Sequence, residues 1–259
     1  MSAMGLKLIA CLCMLLDHVG YCVPSLLPLR AVGRLAFPLY VFLLTEGFRH
    51  TSDRRRYALR LLVFALLAQP AFGLFCFRDP RYPEGSVMVT LLAAFLCLWL
   101  LERCRRSPVL RPLSWLCVLG VCVLLHFGIP KADYGCRGIL LALTFYALPP
   151  NSEPESRREK ILRTLALLFC GVLAVFYQPI LSNGIALFRY VFRGRADFAP
   201  LQGWARMQAF SLLAIPLLLL YNGRRGRTPG TRFGRKALQY AFYLFYPLHM
   251  LILYWTIRP

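Results

Sequence analysis

An all-α, polytopic membrane helix bundle of about nine spans is the fold this sequence predicts, and three observations predict it. Hydrophobic residues make up 58% of the 259 positions and the mean hydropathy is positive, which is too apolar for an ordinary soluble domain. Apolar blocks recur along the chain at close to the ~20 residues a helix needs to cross hydrocarbon. The charge, 31 Lys and Arg against 11 acidic residues for a formal net of +20, falls in short clusters between those blocks.

The blocks lie at about 5–24, 31–48, 57–77, 86–101, 113–129, 135–149, 161–180, 207–221 and 237–256. The shorter ones point to kinks or protein-lined ends. Residues 181–206, with Arg189, Arg193, Arg195 and Asp197, read as a surface or re-entrant helix. No internal repeat divides the chain, so 1–259 is taken as one domain. The N-terminus has one Lys and a long apolar run with no small-residue cleavage site after it, the pattern of a retained span.

Loop charge then orients the spans. "RHTSDRRRYALR", "ERCRRSPVLR", "RREKILR" and "NGRRGRTPGTRFGRK" alternate with the nearly neutral "RDPRYPEG" and "IPKADYG". The positive-inside rule places the basic set in the cytoplasm, with the N-terminus inside. In a soluble protein such basicity would suggest nucleic acid. Between spans it reads as topology signal, anionic-lipid contact or a site for the phosphates of a nucleotide-like ligand. The ten cysteines fall mostly inside apolar blocks, without a CxxC pair, so neither a zinc site nor a disulfide framework is expected. No metal is expected.

Ionisable residues inside hydrocarbon are costly and mark function by default. The first span carries Lys7 and, eleven residues on, His18. That is three helical turns plus about 20°, so both share a face roughly 16 Å apart along the axis. Cys11 and Met14 complete the stripe, and Asp17 adjoins it. The last span repeats the pattern with Gln239, Tyr243, Tyr246 and His249, with Pro247 placed to bend it. Arg34 and Glu46 sit near opposite ends of the second span, and Asp133 begins the sixth. Two polar levels follow from topology: an outer one with Asp17, His18, Arg34, Asp133, Tyr246 and His249, and an inner one with Lys7, Glu46, Arg60, Asn222 and the basic loops. His126 reads as an interhelical strut. Asp17 and Arg34 can also pair with each other structurally. Adjacent helical residues point about 100° apart, so Asp17-His18 is not a zinc motif.

The stretches "LKLIACLCMLLDHVG", "LRAVGRLAFPLYVFLLTEGFRHT", "YALRLLVFALLAQPAFGL", "DYGCRGILLALTFY", "LLLLYNGRRG" and "FYLFYPLHMLILY" resemble, in order and over nearly the whole chain, those of the TraX family, membrane proteins associated with N-terminal acetylation of pilin. One departure is "EGSVMVTLL", where the family pattern would have an Asn before the fourth span. Lys7-x10-His18 is also similar to the Arg/Lys-x10-His signature of integral membrane acyltransferases that use acyl-CoA.

The resemblance implies an acetyl-CoA-dependent N- or O-acetyltransferase of the bacterial cytoplasmic membrane. Its co-substrate would enter from the cytoplasm, with its phosphates near Lys7, Arg60, Tyr221, Asn222, Gly223, Arg224 and Arg225. Glu46 belongs to the same level. His18 would act as general base or transient acetyl carrier, oriented by Asp17 or Asp133, with Arg34, Tyr246 or His249 at the oxyanion. The acceptor would be a pilin amine or a surface glycan. The alternative is a small-solute or proton-coupled transporter using the same ionisable residues as a relay, although no inverted repeat supports it. A scaffold that only binds pilin or lipid would leave both polar stripes without a use.

Overall fold

Helix α1 spans Ala3–Cys22 and starts where Ser2, in extended backbone, accepts the Gly5 N–H with its hydroxyl, which satisfies one orphan donor of the first turn. Others are taken by a distant loop: Ala3 N–H and Met4 N–H donate to the carbonyls of Arg224 and Arg225 at 2.9 and 3.1 Å, and Asn222 N–H donates to the Met1 carbonyl at 2.9 Å. The loop after residue 220 is thereby fixed beside the start of α1. The computed structural model describes residues 1–127, 132–148, 161–162, 165–166 and 207–257.

The predicted second span is a broken helix. A 3-10 turn at Pro24–Leu26 and the short α2, Leu29–Gly33, precede α3 at Ala36–His50. Gly33 has a specific use here, because a Cβ in its place would collide with the Asp17 side chain. Helix α4 (Arg54–Phe77) runs through Pro70 and stops at Arg78, which takes the left-handed conformation (φ 59°). Then come α5 (Val87–Cys104), α6 (Leu110–Phe127) and α7 (Gly135–Ala147). The predicted span 207–221 is shorter than expected, with a 3-10 turn at Phe210–Leu213 before α8 (Ala214–Leu219). Helix α9 (Arg232–Ile257) is longer than expected and continues through Pro247. Nearly all of the predicted span 161–180, and all of 181–206, lies outside the described residues.

Among the described residues, five helical stretches are long and apolar enough to cross a membrane: Ala3–Cys22, Leu29–His50, Arg54–Phe77, Val87–Cys104 and Arg232–Ile257. Shorter apolar helices at Leu110–His126, Gly135–Ala147 and Met207–Leu219 accompany them. The packing is that of a multi-pass membrane protein. Leu8, Leu12, Leu66 and Leu116 are more than half exposed, as expected for side chains that meet lipid. Small residues such as Ala65, Ala68 and Ala71 are buried on α4, where close backbone approach replaces the missing hydrophobic driving force. Helix α9 packs against α4, with the rings of Phe64 and Tyr243 stacked at 4.8 Å. Among the described residues there is no strand, only a single bridge between Gly85 and Ala132.

Candidate functional site

Two cavities lie in series through the bundle. One, about 480 Å³, opens at the end that carries the basic loops; the other, about 880 Å³, opens at the opposite end. Met14, Tyr40, Val87 and Tyr246 line both and so form the wall between them. The first stripe read from the sequence follows this layout. Lys7 lines the basic-end cavity, Met14 the wall and His18 the far cavity. On α9, Gln239 and Tyr243 line the basic-end cavity and Tyr246 the wall.

In the basic-end cavity the cations rest on aromatic rings. Lys7 Nζ lies 5.6 Å from the Phe242 ring centroid and the Arg60 guanidinium 5.4 Å from that of Tyr57, cation–π distances. Tyr243 lines the same cavity beside Arg60 and Tyr57. Arg225 and Gly223 complete the basic rim, positioned by the loop's pairing with α1. Glu46 lies at this level but is engaged: it accepts from Arg49 (3.2 Å) and Tyr221 (3.2 Å) and sits 3.6 Å from His50. Asn222 and Arg224 are not in the lining; the Asn222 side chain caps the Arg224 N–H at 3.2 Å and shapes the turn.

In the far cavity the charges are matched. Asp17 accepts a hydrogen bond from Arg34 and lies 3.7 Å from Arg30 Nε. Arg34 also donates to the Tyr134 hydroxyl at 3.3 Å. The loop that carries Asp133 is tied down at its backbone: Asp133 N–H donates to the Gly85 carbonyl at 2.8 Å, and the Thr90 hydroxyl donates to the Asp133 carbonyl. Tyr134 and Gly135 follow with φ of 62° and 40°. The left-handed conformation is costly for a tyrosine; its ring is held face to face on Phe37 at 3.6 Å. Asp133 is exposed to the cavity. The protein around it pushes its carboxyl up to about 6, and Arg34 opposes that shift.

The ring partner of His18 differs from the expected one. Its Nδ1 lies 2.6 Å from His249 Nε2, and neither Asp17 nor Asp133 reaches it by a hydrogen bond among the described residues. Asp17 is turned away because the arginines of α2 and the following bend compete for it. His249 in turn places Nδ1 2.6 Å from the Phe245 carbonyl. His249 is 5% exposed and lines neither cavity, so it is not placed to touch an oxyanion in one. Arg34 is occupied with Asp17 and Tyr134. Tyr246 remains at the wall, where it lines both cavities.

His126 lies at 3.9 Å from Cys136 Sγ and lines the far cavity, in keeping with a helix-to-helix contact. No group of three His, Cys, Asp or Glu side chains suited to a metal exists among the described residues.

Sequence reasoning missed Tyr40, Arg30 and Tyr134. Tyr40 donates to Cys11 Sγ at 3.1 Å, and the Lys7–Cys11–Met14 stripe, had its facing residue been sought, was the signal for it. Arg30 lies thirteen residues beyond Asp17, across a turn whose geometry the sequence does not give.

Comparison with known proteins agrees with the ordered motifs. The family model described as "TraX protein" matches residues 2–257. The chain is 31% identical over 265 residues to the "Probable fimbrial assembly protein FimC, serogroup H1" of Dichelobacter nodosus, an alignment covering 97% of this chain and 94% of the relative. No solved structure matches it.

Proposed function

This chain belongs to the TraX family, and on that premise we propose that it is an integral membrane acetyltransferase, moving an acetyl group from acetyl-CoA on the cytoplasmic side to an acceptor on the other. The observation that carries the reading is the pair of cavities meeting at Met14, Tyr40, Val87 and Tyr246. A donor and an acceptor from opposite sides of a membrane can meet there without an open pore.

The basic end faces the cytoplasm in this reading, with the N-terminus inside the bacterial cytoplasmic membrane. Lys7, Arg60 and Arg225 supply charge-assisted contacts for the phosphates, and the cavity between them admits the narrow thioester arm up to the wall. From the far side an acceptor amine or hydroxyl reaches His18. His18 Nε2 takes the acceptor's proton as its nitrogen or oxygen attacks the thioester carbonyl. Tyr246 donates a hydrogen bond to the oxyanion. Collapse of the tetrahedral species breaks the C–S bond, and the proton held on His18 passes to the departing thiolate.

The fimbrial-assembly relative favours a pilin-type amine as acceptor; a glycan hydroxyl suits the same chemistry. The test is CoA release by detergent-purified protein, wild type against His18→Ala, over a panel of amine and hydroxyl acceptors. Acceptor-dependent release that disappears in the variant is expected. Full activity in His18→Ala would remove the general base, and absence of both turnover and acetyl-CoA binding would favour solute transport through the same two cavities.

A further inference from the structure

The pairing of two histidines deep in the bundle has a direction, fixed by an atom that can only accept. His249 Nδ1 faces the Phe245 carbonyl at 2.6 Å, with the Tyr246 carbonyl beside it. A carbonyl has no proton to give, so Nδ1 of His249 carries the hydrogen. In a neutral imidazole the other nitrogen, Nε2, is then an acceptor. His18 Nδ1 lies 2.6 Å from it and must be the donor. The hydrogen of neutral His18 is thereby committed to Nδ1, and its Nε2 keeps a free lone pair on a ring that lines the far cavity.

The opposite assignment would need both nitrogens of His249 protonated. That places an imidazolium, 5% exposed, at a site where no carboxylate among the described residues bonds it, and burying an unpaired charge is strongly unfavourable. Asp17 cannot compensate it, being held by Arg34 and Arg30. The ring geometry agrees. The two imidazoles lie within 15° of coplanar with centroids 4.8 Å apart, which suits an in-plane N–H···N bond. Each ring is also clamped: Phe245 stacks on His249 at 4.7 Å, and Phe75 meets His18 edge-on at 5.1 Å.

We infer that His249 is the positioning residue of His18, receiving its Nδ1 hydrogen so that Nε2 is presented unprotonated to the far cavity. The inference rests on the acetyltransferase reading for its catalytic meaning, but not for its geometry. His249 touches no substrate; it acts through His18, as the backbone of α9 acts through it. The order Phe245 carbonyl, His249, His18 does by two imidazoles what an aspartate does for the base of a hydrolase triad.

The test is nitrogen-15 NMR of histidine-labelled full-length protein in lipid nanodiscs, with His18 assigned from a His18→Gln sample. The expected wild-type spectrum has His18 as the Nδ1–H tautomer. In His249→Leu that preference is lost. In His249→Gln, whose amide oxygen still accepts, it is kept. Acetyl transfer by His249→Leu should fall roughly 10²-fold with KM for acetyl-CoA unchanged, and His249→Gln should recover most of it. Wild-type His18 protonated at Nε2 overturns the inference whether or not the variants fold. So does a His18 tautomer that is the same in wild type and His249→Leu. A wild type that shows the Nδ1–H tautomer yet transfers no acetyl group supports the arrangement and overturns the acetyltransferase reading, so the two failures are distinct.

Discussion

The two cavities carry similar kinds of residues and treat their charges in opposite ways. At the basic end, Lys7 and Arg60 rest on Phe242 and Tyr57, and among the described residues no ion pair holds Lys7, Arg60 or Arg225. At the far end, Arg34 and Arg30 converge on Asp17. An aromatic ring supports a cation without neutralising it, so the basic-end cavity keeps a net field for a polyanion. A matched pair has little long-range field but holds helices in place. One cavity is built to attract, the other to hold its shape.

The largest expected effect breaks that contrast on the shape-holding side. The side chains of Arg34 and Asp17 are 8% and 15% exposed, and removing one partner of a buried pair costs about 3–5 kcal/mol. Arg34→Met should therefore unfold well below wild type in a detergent thermal melt, while Arg225→Met, at the exposed rim, should change stability by less than about 1 kcal/mol. Equal melting of the two variants would mean that the cavities do not differ in this way.

Next in size is the wall. Tyr246→Phe removes the hydroxyl that donates to the oxyanion in the proposed reaction, while keeping the ring that separates the cavities. Loss of one such donor costs about 10²–10³-fold in kcat. Steady-state kinetics should show that loss in kcat with KM for acetyl-CoA little changed. An undiminished kcat would place the reacting carbonyl elsewhere.

Much of this plan was legible in the sequence because helical geometry is periodic. The spacing Lys7–Cys11–Met14–His18 fixed one face, and Lys7, Met14 and His18 of that face line the two cavities in order, with Cys11 accepting from Tyr40 behind them. The second stripe behaved likewise from Gln239 to Tyr246. What periodicity cannot give is which of several neighbours a side chain selects. Asp17 and Asp133 were both within topological reach of His18, yet the break at 27–35 brings two arginines onto Asp17 and leaves His249 as the ring partner. Tyr134 was equally hidden, since its place depends on two consecutive positive φ angles that no apolar period encodes. The broken second span was foreshadowed only by Pro24, Pro28 and Gly33.

On the attracting side the effects are smaller and specific to the donor. If acetyl-CoA binds as proposed, removing one charge-assisted phosphate interaction from the basic-end cavity should raise its KM by about tenfold, roughly 1.4 kcal/mol. Lys7→Met and Arg225→Met should each do so, leave KM for the acceptor unchanged, and weaken the salt dependence of acetyl-CoA binding. Equal changes in both Michaelis constants would show that the basic field serves the whole bundle and not its own cavity.

The smallest effect concerns Asp133, a far-side carboxylate that is not clamped by arginines as Asp17 is. Its carboxyl is raised to about 6 from its ordinary 3.8 by the surrounding protein. An acid raised on folding favours the folded state while protonated, so its contribution is fully present below about pH 4 and is lost as the pH rises through 6. Asp133→Asn, which stays neutral, should gain stability relative to wild type over that interval. Its exposure to the cavity makes the trend shallow. Thermal melts of both proteins from pH 4 to 7 would show a difference that grows with pH. A flat difference would mean that water fills the far cavity well enough to solvate the charge, and that the field there is weaker still than the pairing of Asp17 implies.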